Sequence, residues 1–501
     1  MKNFHYFNLL ALGSIQGGRK GSMRGMRVAV LCWMTGSLLA GFVAGSRSVG
    51  AAPSNPVAIV AEPATQTKVA ERQLANGMRV FVKTDRRAPV VVSMVWYGVG
   101  SVDEVNGRTG LAHVLEHMMF KGTHALPAGE FSKQVSQAGG RENAFTSRDY
   151  TAYHETIQSS QLALMLQLEA DRMQNALIAP DEFAKEIKVI MEERRWRTDD
   201  KPRAQLHEQL MASALLAHPH RTPVVGWMND LEHLRAEDAR DFYSQWYAPN
   251  NALLVVVGDV SAQEGFALAE KAFGSIAAKT LPPRRPQEEP QQKGIRRIVF
   301  KAPAEQAMLL MAYRAPKIVD FEKDWEPYAL DVLSSVLAGS DAARLNRELV
   351  RGTEVASAAD ASYDGLGRGP GFFYFSAIPS KNQNVKTVEA ALRAQIKKII
   401  DEGVSAQELQ RIRTQVLASR VYERDAMMFQ ANQIGQMAIL GLPIRAIEVM
   451  DERSHLITAD QVREVAKKYL VDDALTVAEL VPLPVTQPRN SKPPVGLRDE
   501  K

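Results

Sequence analysis

The apolar residues of this chain fall into three kinds of pattern. The first is a largely apolar run from Val28 to Gly45, preceded by Arg19, Lys20, Arg24 and Arg27 and followed by the small residues Val49-Gly50-Ala51-Ala52. A basic flank, an apolar run and small residues in that order read as a secretory signal peptide cleaved after about Ala51. The basic flank is long, so translation starts at Met1 or, alternatively, at Met23 or Met26. Left uncleaved, the run approaches the length of a membrane anchor, an option that Gly36, Gly41 and Gly45 weaken. The second pattern is β-branched and aromatic. It predicts strands at Arg79–Val82, Val90–Trp96 and Leu253–Val257. Alternating Thr and Tyr predict one more strand across Asn143–Glu155. The third is helical. Apolar residues run through Gly110–Phe120, and Gly122 is placed to close that helix. Another helix is expected from Pro180, a residue suited to the first helical position, with Asp181 and Glu182 in its first turn.

Chemistry enters through the first of these helices. It contains His113-Val114-Leu115-Glu116-His117, a His-x-x-Glu-His arrangement. Positions i and i+4 share a helix face, so His113 and His117 can grip one metal ion. Glu116 then stands beside the metal, where a carboxylate can take a proton from water. Catalytic zinc usually has three protein ligands. The helix from Pro180 carries Glu186 and Glu193, two turns apart on one face, and either can reach a metal from an adjacent helix.

Together these residues resemble the pitrilysin-type inverzincins, closest to the short-chain branch that includes the mitochondrial processing peptidase. Glu193 stands 76 residues after His117, the family's spacing for its third ligand, and Glu186 falls where the family keeps a supporting glutamate. Gly139–Tyr153 resembles the family's Gly-x-x-x-Asn-Ala-x-Thr segment, and His218–Gly226 its His-Pro loop. The resemblance spans about residues 72 to 484. It implies Zn2+ on His113, His117 and Glu193, with Glu186 behind the ligands and Glu116 as catalytic base. It also implies peptide substrates added to a sheet edge along Asn143 and Ala144. On the residues alone, Asn143 can equally satisfy a turn. His218 and His220, despite their His-x-His spacing, read as loop residues with a surface or structural role, and His124 and His154 as ordinary loop or strand residues.

The chain also reads as two similar halves. Leu234–Arg240 matches Ile457–Arg463, each ahead of a helix and then a strand. Ala112–His117 corresponds to Ala329–Ser334, with Leu330 and Ser334 in place of the two histidines. The expected organisation is a signal peptide at 1–51, a flexible lead at 52–71, a zinc-bearing domain at 72–279, a Pro-rich linker at 280–295, a duplicate without zinc at 296–484 and a flexible tail at 485–501. The fold class is α+β, with two homologous pitrilysin-like domains, each an antiparallel-rich sheet with packed helices.

One segment departs from the family. Active single-chain relatives carry an Arg and a Tyr seven residues apart in the second half, where they help bind the substrate carbonyl. Here Val350 and Ser357 stand at those positions, and Arg351 is one residue off. The zinc half therefore looks complete and the substrate-clamping half does not. That implies a heterodimer with a related subunit carrying the Arg/Tyr pair; a homodimer is the alternative. The rival to an enzyme is a non-catalytic subunit, like the core proteins of respiratory cytochrome bc complexes, which usually lose the ligands that this chain keeps.

Composition narrows the field. A net charge of +4 over 501 residues gives no case for nucleic-acid binding. The single cysteine, Cys32, lies inside the signal segment, so the mature chain has neither disulfides nor thiol chemistry. No second apolar run spans a bilayer. The expected location is periplasmic or secreted, or membrane-anchored if the signal stays on.

Overall fold

The computed structural model describes residues 68–485, apart from the side chains at 419–422 and 424. The signal segment, most of the lead and nearly all of the tail lie outside the described residues. Two mixed sheets organise the rest. The first holds β1 (Ala70–Gln73), β2 (Arg79–Thr84), β3 (Val90–Tyr97), β4 (Arg141–Thr146), β5 (Thr151–Gln158) and β6 (Ala252–Gly258), in the order β1-β2-β6-β3-β5-β4. The second holds β7 (Arg296–Pro303), β8 (Met308–Ala315), β9 (Ala356–Asp364), β10 (Gly371–Pro379) and β11 (Leu475–Leu483), in the order β7-β11-β8-β10-β9. Without β1 the two orders are the same, and each sheet has one parallel pair, β2 with β6 and β7 with β11. The repeat is also kept in spacing. The helix Ala236–Trp246 and β6 recur 223 residues later as the helix Ala459–Tyr469 and β11.

Each sheet is buried on both faces, which explains why strands such as Leu253–Val257 are apolar at every position. One face of the first sheet packs on the helices Leu111–Met118, Leu162–Asn175 and Ala262–Phe273 of its own half. Its other face, with Phe81, Met94, Trp96 and Val255, is covered by Ala431, Ile434 and Ala438 of the helix Met427–Ile439, which belongs to the second half. The exchange is mutual. Leu206, Leu210 and Met211 of the helix Pro202–Ala214 cover Leu310, Ala312 and Phe372 in the second sheet. Each half thus completes the other's core.

Four expectations change in detail. The lead does not stay free through residue 71, because Ala70 and Glu71 already pair with Val82 and Phe81, and Arg79 holds Glu71 at 2.8 Å. The strand expected across Asn143–Glu155 is a hairpin, β4 and β5. Ser147 folds the turn between them by accepting the backbone N–H groups of Asp149 and Tyr150 on its hydroxyl. The histidine-bearing helix ends at Met118, ahead of Gly122. Its last carbonyls are taken by tighter turns, Phe120 N–H to His117 and Lys121 N–H to Met118. Finally, the Pro-rich linker is pinned. Glu289 accepts from the backbone of Leu216, Ala217 and His218, and Arg284 pairs with Asp103 at 3.1 Å.

Candidate active site

The helix Leu111–Met118 starts at a crowded corner. Glu104 accepts from the backbone N–H groups of Gly110 and Ala112, both at 2.8 Å, so a carboxylate caps the helix start. Asp230 accepts from the Thr109 hydroxyl at 2.6 Å and from its backbone. Gly110 has φ +91°, and a Cβ there would lie 2.6 Å from the Val225 carbonyl oxygen. Only glycine lets the two loops meet so closely.

From that corner the helix projects His113 and His117 toward the helix Pro180–Arg194. His113 and His117 meet edge to face, ring centroids 4.7 Å apart. Glu193 Oε2 lies 3.3 Å from His117 Nε2 and 3.8 Å from His113 Nε2. One ligand atom from each of these three residues falls within 4.8 Å of the other two. Glu186, two turns earlier, stands behind His117, its Oε1 2.9 Å from Nδ1. With Nδ1–H donating there, Nε2 is left to face Glu193, the arrangement by which carboxylates orient metal-binding imidazoles. His113 has no such partner among the described residues and is held by burial.

The electrostatics favour a cation at this point. Burial pushes His113 down to about 3, so its imidazole is neutral and able to ligate. For His117 burial acts the same way, but the hydrogen bond with Glu186 and the nearby Glu193 carboxylate outweigh it and raise the ring to about 9. Burial would raise Glu193, yet His117, His113 and Arg197 hold it at about 2. Two carboxylates around one imidazole therefore call for positive charge. Glu193 Oε2 is also a buried oxygen without a hydrogen-bond partner. Such an atom is costly to bury unless something binds it. Two neutralisable imidazoles and an ionised carboxylate are a donor set that suits zinc.

Glu116 lies beside this group, buried, with Thr146 Oγ1 donating to its Oε2 at 2.5 Å. Thr146 is the last residue of β4, so the hairpin fixes the glutamate. β4 is an edge strand, and Asn143 and Ala144 lie along it opposite His154 and Tyr153. The Ala144 side chain points into the core, so only its backbone can serve a bound peptide. Three residues here were not anticipated from sequence: Thr146 on Glu116, Lys121 on Glu186 at 2.5 Å and Arg197 on Glu193 at 2.8 Å. Thr146 lay inside a motif already singled out. The two cations carried no signal beyond their nearness in sequence to the histidines and the glutamate.

The other histidines lie apart from this group. His218 Nδ1 accepts the His220 N–H, and His220 Nε2 meets Asp149 Oδ1 at 3.0 Å. Asp149 also accepts from the backbone of Arg368, whose guanidinium grips Asp103. This cluster ties the β9–β10 loop of the second half to the first, a structural role. His124 is exposed and His154 half-buried within β5. In the duplicate, Leu330 is a core residue and Ser334 Oγ donates to Asp331 of its own helix. No long apolar helix able to cross a membrane occurs among the described residues.

Comparison with known proteins gives the family. Residues 79–226 match the family model described as insulinase (peptidase family M16), and residues 233–416 match the peptidase M16 inactive domain. The chain is 32% identical over 418 residues to zinc protease PqqE of Helicobacter pylori, covering 82% of this chain and 92% of that one. It is 25% identical to the uncharacterized zinc protease YmxG of Bacillus subtilis, covering 79% and 95%. The crystal structure of a protease from Helicobacter pylori superposes with a TM-score of 0.79 at 30% identity, over 83% of this chain and 100% of that one. The peptidase M16 inactive domain from Pseudomonas fluorescens shares the fold, with a TM-score of 0.73 at 18% identity, over 84% and 100%. With both halves matched in order and a relative at this identity along most of its length, the chain belongs to peptidase family M16.

Proposed function

We propose that this protein is a zinc-dependent endopeptidase. The observation that carries the reading is the convergence of His113, His117 and Glu193, with ligand atoms within 4.8 Å of one another, beside the buried carboxylate of Glu116. Zinc, when bound, supplies Lewis acidity that polarises a carbonyl and makes water acidic enough to attack it. The protein's own groups do the rest. Glu116, oriented by Thr146, takes a proton from the attacking water and returns it to the leaving amine. Glu186 keeps His117 in the tautomer that ligates. The edge strand β4, along Asn143 and Ala144, receives the peptide backbone as an added strand. Substrates are peptides or flexible protein segments, since a folded chain cannot lie along that edge. The signal segment directs the enzyme to the periplasm or outside the cell, and the working form is a dimer with a related subunit.

The alternative, a non-catalytic subunit, has no observation in its favour at this site. The test is direct. The purified protein should carry about one zinc per chain and cleave an unstructured peptide. His117→Ala should lose both. Stoichiometric zinc in that variant would mean the site is misassigned.

A further inference from the structure

The helix Pro180–Arg194 does not stop at the ligand glutamate. It continues as a π-helical segment, Arg195–Asp199, closed by Asp200 N–H on the Arg195 carbonyl at 2.7 Å. Widened turns of this kind gather at functional sites. The basic residues around it go separate ways. Arg194 turns inward to Glu208 and the Gly226 carbonyl, anchoring the ligand helix from behind. Arg195 pairs with exposed Glu192, and Lys201 lies over the Trp196 ring at 4.1 Å. Arg197 alone of these meets the metal-site carboxylate, its Nε 2.8 Å from Glu193 Oε1.

We infer that Arg197 is a positioning residue for the metal, holding one oxygen of Glu193 so that only the other is presented between the two imidazoles. The inference rests on the zinc reading above. A carboxylate free to rotate offers a cation one oxygen or two. With Oε1 occupied by the guanidinium, Oε2 is left as the single ligand atom, and Oε2 is the oxygen nearest both histidine Nε2 atoms. The burial of Glu193 strengthens the pairing, because little water competes for Oε1. Charge alone argues the opposite way. A guanidinium beside the site repels a second cation, so its removal should tighten zinc binding if repulsion is its main effect.

Two substitutions separate the effects. In R197Q the side-chain Nε2 donor sits as many bonds from Cα as the arginine Nε, without the charge. R197M places a methyl group there and removes donor and charge together. Zinc affinity should be measured by competition with a chelator, and the cobalt-substituted proteins compared by visible absorption. R197M should lose about 10- to 100-fold in zinc affinity, the usual range for partners of metal ligands, with an altered cobalt spectrum. R197Q should keep most of the affinity and the wild-type spectrum. The thermal midpoint of each metal-stripped variant should match the wild type, which excludes a folding defect. If R197M does not fold, R197A removes the same donor with less bulk and carries the test. Wild-type affinity or tighter in R197M, or equal losses in R197Q and R197M, would overturn the inference. A wild-type protein that binds no zinc sinks the earlier reading instead.

Discussion

Glu116 and Glu193 are the same side chain set to different tasks by their neighbours. Glu193 faces two imidazoles and a guanidinium, which hold its carboxyl down at about 2 and suit it to the proposed role of ligand. Glu116 faces a hydroxyl donor, Thr146, at the end of β4. Substituting Glu116→Gln preserves shape but removes the proton acceptor. Zinc content should stay at the wild-type level while turnover falls about 100-fold or more, the low end of acid–base contributions. Near-normal turnover in the zinc-loaded variant removes Glu116 from the mechanism. The two glutamates of the second helix differ in a related way. Glu186 touches His117 through Nδ1, whereas Glu193 faces the Nε2 atoms of both histidines. Loss of zinc affinity should therefore be milder in Glu186→Gln than in Glu193→Gln, and the reverse order in a zinc titration means the roles are exchanged. At this scale the grouping of His113, His117 and Glu193 was legible because metals select few residue types at fixed spacings. Thr146, Lys121 and Arg197 were not legible as partners, because their roles depend on which elements meet, and helix and hairpin spacings do not encode that.

Among elements, the crossing helix Met427–Ile439 matters most to the site without touching it. Gly435 lies against Trp96, and a Cβ there would come 2.1 Å from Trp96 Cε2. Trp96 is fully buried and has no room to retreat, since it packs on Phe145 of β4 at 5.5 Å and on Tyr150 at 5.0 Å. The second half thus supports, through one indole, the strand that ends in Thr146. Gly435→Ala should destabilise the protein by about 1–3 kcal/mol, the usual cost of overpacking a tight core. A lowered midpoint in thermal or denaturant unfolding checks this, and an unchanged midpoint means the helix shifts freely on the sheet. The strands β2, β3 and β6 and the helix from Pro180 were readable because their apolar patterns are local. The hairpin of β4 and β5 was read as one strand because its turn, Ser147–Tyr150, lacks the glycine or proline that usually marks a reversal. The exchange of covering helices left no local mark, since an apolar helix face looks the same whichever sheet it covers.

At the scale of the whole molecule, the duplicate half is built like the first and lacks its histidine pair, and it also lacks the Arg and Tyr that the resemblance places there. Val350 packs against the second core, Ser357 Oγ donates to the Ile378 carbonyl, and the Arg351 guanidinium is held by the Asp341 carbonyl. All three positions are therefore engaged within their own half. Valine has no donor, and a serine hydroxyl is too short to cover the reach of a phenol. Without a guanidinium and a phenol to meet the developing oxyanion, loss of even one such donor costs about 100- to 1,000-fold in turnover. On the proposed peptide addition to β4, binding does not depend on those donors, so the deficit should fall on kcat more than on KM. The chain should therefore be a weak peptidase alone. It should become active on mixing with a related chain that supplies an Arg and a Tyr and carries no His-x-x-Glu-His. Size-exclusion chromatography and peptide cleavage, each with and without that partner, make the comparison. Full activity from the purified chain alone would sink the heterodimer and favour a homodimer with other donors, while leaving the zinc chemistry of His113, His117 and Glu193 in place.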